Sequence, residues 1–225
     1  LTQNLPKTES LGFMKSISHL KDKEIILYFL GYFFFFCGFN ILRGDLTYYL
    51  STVMQKDIKY LTVISVVLFG MAGLFFPITN KFGKKYSYKK ILIVDMLLLI
   101  AGTFGLLFIN KNNSIFAYVF FVICGAGLSG AAFIFPQAML SEISAKLSEI
   151  KKISLEGFMF GIQGMFLKLA FLVQQVVQST LLVAGNQNVQ NGVKGATELG
   201  VKVTLVVALA LFGVSLFFYN SYYYF

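Results

Sequence analysis

Charged side chains are scarce in this chain of 225 residues: 13% are Asp, Glu, Lys or Arg, whereas 57% are hydrophobic. Ordinary soluble domains carry about 25% charged residues, so this scarcity excludes such a domain and indicates a membrane protein. The formal net charge of +9 would suggest nucleic-acid binding in a soluble protein. Here most lysines lie in short segments between apolar stretches, where membrane topology explains them. We therefore predict no nucleic-acid partner.

Cysteine and histidine are almost absent, with two Cys and one His. Cys37 and Cys124 lie within apolar stretches and lack the spacing of a metal site, so we expect buried free thiols. His19 lies in the polar N-terminal stretch, where we expect a surface side chain. The sequence has no nucleophile–base pair, metal spacing or phosphate-binding loop, so we predict no enzymatic activity, no metal and no cofactor.

Long apolar stretches are abundant, and each is long enough to cross a bilayer as a helix. The six predicted spans are residues 25–49, 60–79, 91–109, 115–139, 155–184 and 201–219. Residues 1–24 are predicted to be a cytoplasmic loop with a short amphipathic helix on the membrane surface, although a plain tether fits equally well. Residues 142–154, after the fourth span, are predicted to be a polar loop. The predicted fold is an all-α membrane protein with six transmembrane helices.

Lysines are distributed unevenly between the two sides of the predicted membrane region. Because the number of spans is even, both ends of the chain lie on one side. On that side, four lysines precede the first span, five follow the second and three follow the fourth. The opposite side carries Lys56, Lys59, Lys111, Lys194 and Lys202, with Arg43 near it. The excess of lysine predicts that both termini are cytoplasmic.

The fifth predicted span carries a lysine near its centre. Lys168 is the only charged residue between Glu156 and Lys194. An ionised lysine in the middle of a spanning helix costs about 2.5–3.5 kcal/mol, so we expect it to face a watery cavity or a partner charge. At helical spacing it shares one small, polar face with Gly157, Gly161, Gly164, Gln175 and Gln178. We interpret this face as part of a transport pathway; a structural ion pair of Lys168 is the alternative.

Two further groups of polar residues lie within predicted spans. Near the far end of the first span, Gly44 would permit a break in the helix, and Arg43 and Asp45 would form an ion pair at the interface. A substrate-facing role for this group, which includes Asn40, is the alternative. Asp95, one turn inside the third span, is expected to pair with neighbouring lysines.

The chain resembles half of a major-facilitator transporter. Its Asn80-Lys-Phe-Gly83-Lys84-Lys85 turn is similar to the basic turn between the second and third helices of each half in that superfamily. A sharper resemblance is to the C-terminal half of the glycoside–pentoside–hexuronide:cation symporters, the melibiose-permease-like family. Four features carry it in order: Ser10-Leu-Gly-Phe-Met-Lys15, Thr47-Tyr48-Tyr49-Leu-Ser, a loop opened by Glu142 and closed by Glu156-Gly157, and Lys168 twelve residues after Glu156.

This resemblance implies cation-coupled symport of a sugar or glycoside, driven by Na⁺ or H⁺, through alternating access. It also implies that the chain supplies helices seven to twelve and that an N-terminal six-helix half is its partner. The residues assigned to cation coupling are Lys168, Gln163 and Gly164. Those assigned to the substrate cavity are Phe133, Asn40, Asp45, Tyr48 and Gln175. Those assigned to a cytoplasmic charge network are Glu142, Lys151, Lys152 and Glu156.

The sequence departs from the family pattern in the loop that begins at Glu142. A second acid and a tyrosine of the family are Ala145 and Lys146 here, and an arginine of the family is Ser154. Lys151 or Lys152 would therefore supply the positive charge of the cytoplasmic network.

Two alternatives remain open at this stage. One is a carrier of the same fold with a non-sugar substrate, such as a lysolipid or a drug. The other is a six-helix membrane protein that is not a carrier, such as a channel subunit or scaffold. The chain starts at Leu1 without a signal sequence, so we expect it to be a piece of a longer polypeptide. We predict a multi-pass protein of the cell or inner membrane, in contact with membrane lipid.

Overall fold

The computed structural model describes residues 23–151, 155–185 and 195–221, which are helical without any strand. The helices are α1 (Lys23–Tyr48), α2 (Tyr60–Tyr86), α3 (Tyr88–Leu106), α4 (Ala117–Ala131), α5 (Phe135–Lys151), α6 (Glu156–Leu181) and α7 (Glu198–Ser221). A π-helical turn, Tyr49–Val53, extends α1, and a 3₁₀ turn, Lys111–Phe116, leads into α4. The predicted all-α class is confirmed for these ranges. The predicted amphipathic helix lies in residues 1–22, outside the described ones.

Among the described residues, five helical segments are long and apolar enough to cross a bilayer: Lys23–Val53, Tyr60–Tyr86, Lys111–Ile150, Glu156–Leu181 and Glu198–Ser221. Each overlaps one of the predicted spans. The predicted third span corresponds to α3, which is not among the five. α3 is excluded because three of its 19 residues, Lys89, Lys90 and Asp95, are charged.

The fourth predicted span and the loop after it differ from the structure. The span is broken at residues 132–134 between α4 and α5, and α5 then continues through Glu142 to Lys151. Pro136 is the second residue of α5, where its missing N–H costs no helical hydrogen bond. Residues 142–151 of the segment predicted to be a loop are helical because Ile143 and Leu147, one turn apart, are buried and stabilise the helix by packing.

The first helix forms the centre of the described bundle. α1 packs most extensively against α7 and also packs along α6. The ring of Phe35 is fully buried and lies 5.9 Å from the ring of Phe212 in α7. The Ser215 hydroxyl donates a 2.7 Å hydrogen bond to the carbonyl of Gly31. The phenylalanine-rich sequence of α1 is therefore core, since aromatic side chains bury large apolar areas.

A second packing unit joins α3 and α4, whose backbones approach closely. A β-carbon on Gly127 would overlap the carbonyl oxygen of Asp95. Lipid provides no hydrophobic driving force between helices, so transmembrane helices associate largely through van der Waals packing. Small residues at the contact let the two backbones come close enough for that packing.

Burial differs among the helices, and one of the two least buried helices, α6, carries the candidate site. Within the most apolar part of each helix, 72% of the residues are buried for α1 but only 17% for α2 and for α6. α6 thus has one side on the bundle and one side open, and the open side carries the lysine.

Candidate transport site

The open side of α6 is the small, polar face that the sequence predicts. Gly157, Gly161, Gly164, Lys168 and Gln175 are all exposed. A β-carbon on any of these three glycines would meet nothing within 4 Å. In the described part of the chain no carboxylate forms an ion pair with Lys168. The structure therefore places Lys168 on a face that the described residues leave uncovered and without an ion pair to any of them.

Gln163 points the other way, into the bundle. Its side chain is 4% exposed, and its Nε2 donates a 2.9 Å hydrogen bond to the hydroxyl of Tyr28. That hydroxyl donates in turn to the carbonyl oxygen of Pro136, at 2.6 Å. This relay joins α6, α1 and the start of α5. Of the three residues assigned to cation coupling, Lys168 and Gly164 share the open face and Gln163 lies inside.

Asp45 forms the centre of a polar network between α1, α6 and α7. Its side chain is 1% exposed; Gln178 Nε2 lies 2.8 Å from its Oδ1, and Thr204 Oγ1 lies 2.6 Å from its Oδ2. Gln174 extends the network by donating to Gln178 Oε1 at 2.8 Å. Gln178, which the sequence places on the polar face of Lys168, is half-buried and turns toward α1 instead.

The prediction of an ion pair between Arg43 and Asp45 is wrong. Arg43 is exposed, and its guanidinium carbon lies 5.6 Å from the centre of the Phe171 ring. The physical reason is the helical geometry of α1, because side chains two positions apart on a helix do not face each other.

Gly44 does not break the helix as expected, since α1 continues to Tyr48. A β-carbon on Gly44 would overlap the side-chain amide of Gln178. The glycine therefore lets α6 come close enough for Gln178 to reach Asp45.

The other residues assigned to the substrate cavity fall into two groups. Asn40 is 1% exposed, and its Nδ2 has no hydrogen-bond partner among the described residues. Tyr48, Phe133 and Gln175 are exposed, Tyr48 at the end of α1 and Phe133 in the break between α4 and α5. Asn40 and Asp45 therefore lie inside this bundle, and the other three lie on its surface.

The residues assigned to the cytoplasmic charge network lie on different elements. Glu142 lines a cavity of about 380 Å³ together with Lys84 from the last turn of α2 and Lys89 from the first turn of α3. Glu156 is exposed at the start of α6. Lys151 ends α5; its side chain and the whole of Lys152 lie outside the described residues.

Asp95 is buried, in contrast to the expected pairing with lysines near the interface. It is 4% exposed, and its Oδ2 lies against the α-carbon of Gly130 in α4, where a β-carbon would overlap it. Beside Gly130, the hydroxyls of Thr79 and Ser129 lie 2.8 Å apart. Asp95 is thus part of the α2–α3–α4 contact, with no basic side chain paired to it in the described ranges.

Three residues of the polar networks were missed by sequence reasoning. Gln174 had a usable signal, because it lies one turn from Gln178 and residues four apart share a helix face. Tyr28 and Thr204 had none, since single hydroxyl groups are common in apolar helices and their partners are distant in sequence.

The long apolar helices define the class of an integral membrane protein. A sequence model described as MFS/sugar transport protein matches residues 2–222, nearly the whole chain. The chain therefore belongs to this family of major-facilitator transporters and is a multi-pass integral membrane protein. No curated protein matches the chain.

Proposed function

We propose that this chain is the C-terminal half of a symporter that couples Na⁺ or H⁺ to the uptake of a sugar or glycoside. Its partner would be an N-terminal six-helix half of the same transporter. The observation that carries the proposal is Lys168, an exposed lysine near the middle of a spanning helix. Membership of the sugar-transport family supports the sugar as substrate.

The position of Lys168 argues against a purely lipid-facing side chain. At 1.5 Å per residue, Lys168 lies about 18 Å from the start of α6 at Glu156 and about 20 Å from its end at Leu181. A bilayer core is about 30 Å thick, so a side chain near its middle is about 15 Å from either interface. That is too far for a lysine side chain to extend its ammonium to water. Lys168 therefore needs a watery cavity or a protein carboxylate.

In the proposed mechanism, two six-helix halves rock about a site near the middle of the membrane. Carboxylates of the N-terminal half bind the cation, and Lys168 balances or competes for the same negative charge. Binding of the cation removes the charge imbalance and thereby favours binding of the sugar. Tyr48, Phe133 and Gln175, exposed on this bundle, are proposed to contribute to the sugar cavity.

The test replaces Lys168 with Ala in the full-length protein and measures uptake driven by Na⁺ and by pH gradients, each varied separately. We expect ion-driven accumulation to be lost. Lys202→Ala is the matched control, because Lys202 is already paired with Glu198 at 2.7 Å, and we expect it to accumulate substrate like the unmodified protein. Intact coupling in Lys168→Ala would exclude the proposed role.

The choice of substrate is tested separately, with a panel of labelled sugars and glycosides against a labelled lysolipid and a drug. Uptake of the lysolipid or drug alone would assign the same fold to a different substrate. A protein that carries none of them would favour the non-carrier alternative.

A further inference from the structure

The short contact between Asp45 and Thr204 raises the question of which of the two groups supplies its proton. Thr204 Oγ1 lies 2.6 Å from Asp45 Oδ2 and also 2.8 Å from the carbonyl oxygen of Val201. A hydroxyl group has a single proton to donate, and a carbonyl oxygen has none. When Thr204 donates to Val201, the short contact to Asp45 needs a proton from the carboxyl group itself.

The surroundings of Asp45 also favour a neutral acid. Besides Asp45, the charged groups within ten positions of Asp45, Gln178 or Thr204 on the three packed helices are Arg43 of α1, Lys168 of α6, and Glu198 and Lys202 of α7, and the adjacent π-helical turn adds the buried phenol of Tyr49. None of them faces Asp45: Arg43 lies over Phe171, the Tyr49 hydroxyl donates to the carbonyl of Leu106, Glu198 and Lys202 pair with each other, and Lys168 is exposed. A buried carboxylate without a positive partner costs several kcal/mol.

The same site also accepts the ionised form. When the proton leaves, the Thr204 hydroxyl can rotate from Val201 to Asp45 Oδ2, while the Gln178 amide continues to donate to Oδ1. Both protonation states are therefore hydrogen-bonded, which is the property that a reversible proton site needs. Asp95 differs, because its Oδ2 has no hydrogen-bond partner among the described residues.

The hydrogen-bond network around Asp45 extends into α6. Gln178 is half-buried and Gln174 donates to it, so the network ends at the side of α6. The same helix carries Lys168 on its open face. Protonation of Asp45 thus changes the hydrogen bond between α1 and α7 at Thr204, next to the Gln178 contact that joins α6 to α1.

We propose that Asp45 is a reversible proton-binding site in this half of the transporter. The carboxylate takes a proton from water to form the carboxylic acid, and the reverse step returns the proton to water while Thr204 reorients. The role as a coupling site rests on the proposed function; the binding of the proton does not. If H⁺ is the coupling ion, Asp45 is a second proton-binding carboxyl group that acts beside the carboxylates of the N-terminal half.

Infrared titration of the full-length protein in lipid tests the proton site directly. We expect a band of a protonated carboxylic acid that disappears reversibly as the pH rises. This titrating band should be lost in Asp45→Asn, displaced in Thr204→Val, and kept in Asp95→Asn, which is the matched buried-acid control. Thr204→Val keeps the carboxyl group and so decides the question even if Asp45→Asn fails to fold. An unchanged titrating band in Asp45→Asn or in Thr204→Val would overturn the proposal. Absence of the band in the unmodified protein would overturn it too.

Transport by the same preparations tests the coupling role. Uptake driven by a pH gradient should be lost in Asp45→Asn and kept in Asp95→Asn, and equal uptake by Asp45→Asn would overturn the role in coupling. A protein that carries no sugar at all would contradict the proposed function, while the infrared titration would still decide on Asp45.

Discussion

At the scale of single residues, the polar side chains of α6 divide into two sets with different tasks. Lys168 and Gly164 face outward, whereas Gln163 and Gln174 are buried. The buried set holds the helix in place, because each of its amides has a partner on the bundle or on the same helix. The outward set is available to a cavity or another protein surface.

The relay from Gln163 through Tyr28 to Pro136 makes a prediction about stability. Gln163→Leu removes the hydrogen bond to the buried Tyr28 hydroxyl, which keeps its bond to Pro136, and the loss of one such hydrogen bond costs about 0.5–1.5 kcal/mol. We expect a lower thermal unfolding midpoint for the full-length protein in detergent. Gln175→Leu, at an exposed position on the same helix, serves as the control and should unfold like the unmodified protein. Equal midpoints for both variants would contradict a structural role for the relay.

At the scale of helices, glycine has opposite meanings on α4 and on α6. In α4, Gly127 lies against the backbone of α3, and in α6, Gly161 lies beside open space. The two positions therefore form a matched pair for the same substitution.

Gly127→Val should force α3 and α4 apart, because overpacking a tight contact costs about 1–3 kcal/mol or more. Gly161→Val should leave thermal stability unchanged, but reduce transport if the open face of α6 is used by a cavity or by the other half. The measurements are unfolding midpoints and substrate uptake for both variants. Similar losses of stability in the two proteins would show that the face of α6 is packed like that of α4.

At the scale of the whole molecule, the distribution of lysines predicts which ends face the cytoplasm. Lys85 follows the second predicted span, and Lys111 lies in the connection after the third; both are exposed. Cys37 and Cys124 are fully buried, so the native thiols give little background to a labelling experiment.

A membrane-impermeant thiol reagent added to intact cells should therefore label Lys111→Cys and not Lys85→Cys. The Lys85→Cys protein should become labelled once the cells are permeabilised. The opposite pattern would reverse the predicted orientation, with both termini outside.

The sequence alone determined the membrane class, the approximate positions of the helices other than α5, and the polar face of α6. These properties are local, because hydropathy and helical spacing depend on residues within a few turns of one another. The tertiary structure alone decided the partners of the buried polar groups: Gln163 with Tyr28, Gln178 with Asp45 and Thr204 with Asp45 are separated by 135, 133 and 159 positions. It also decided that α5 is helical and that Asp95 is core, since both depend on what packs against them. Lys168 depends on both. The sequence predicts the helix that carries it, and the packing of the other helices determines that its side chain is exposed.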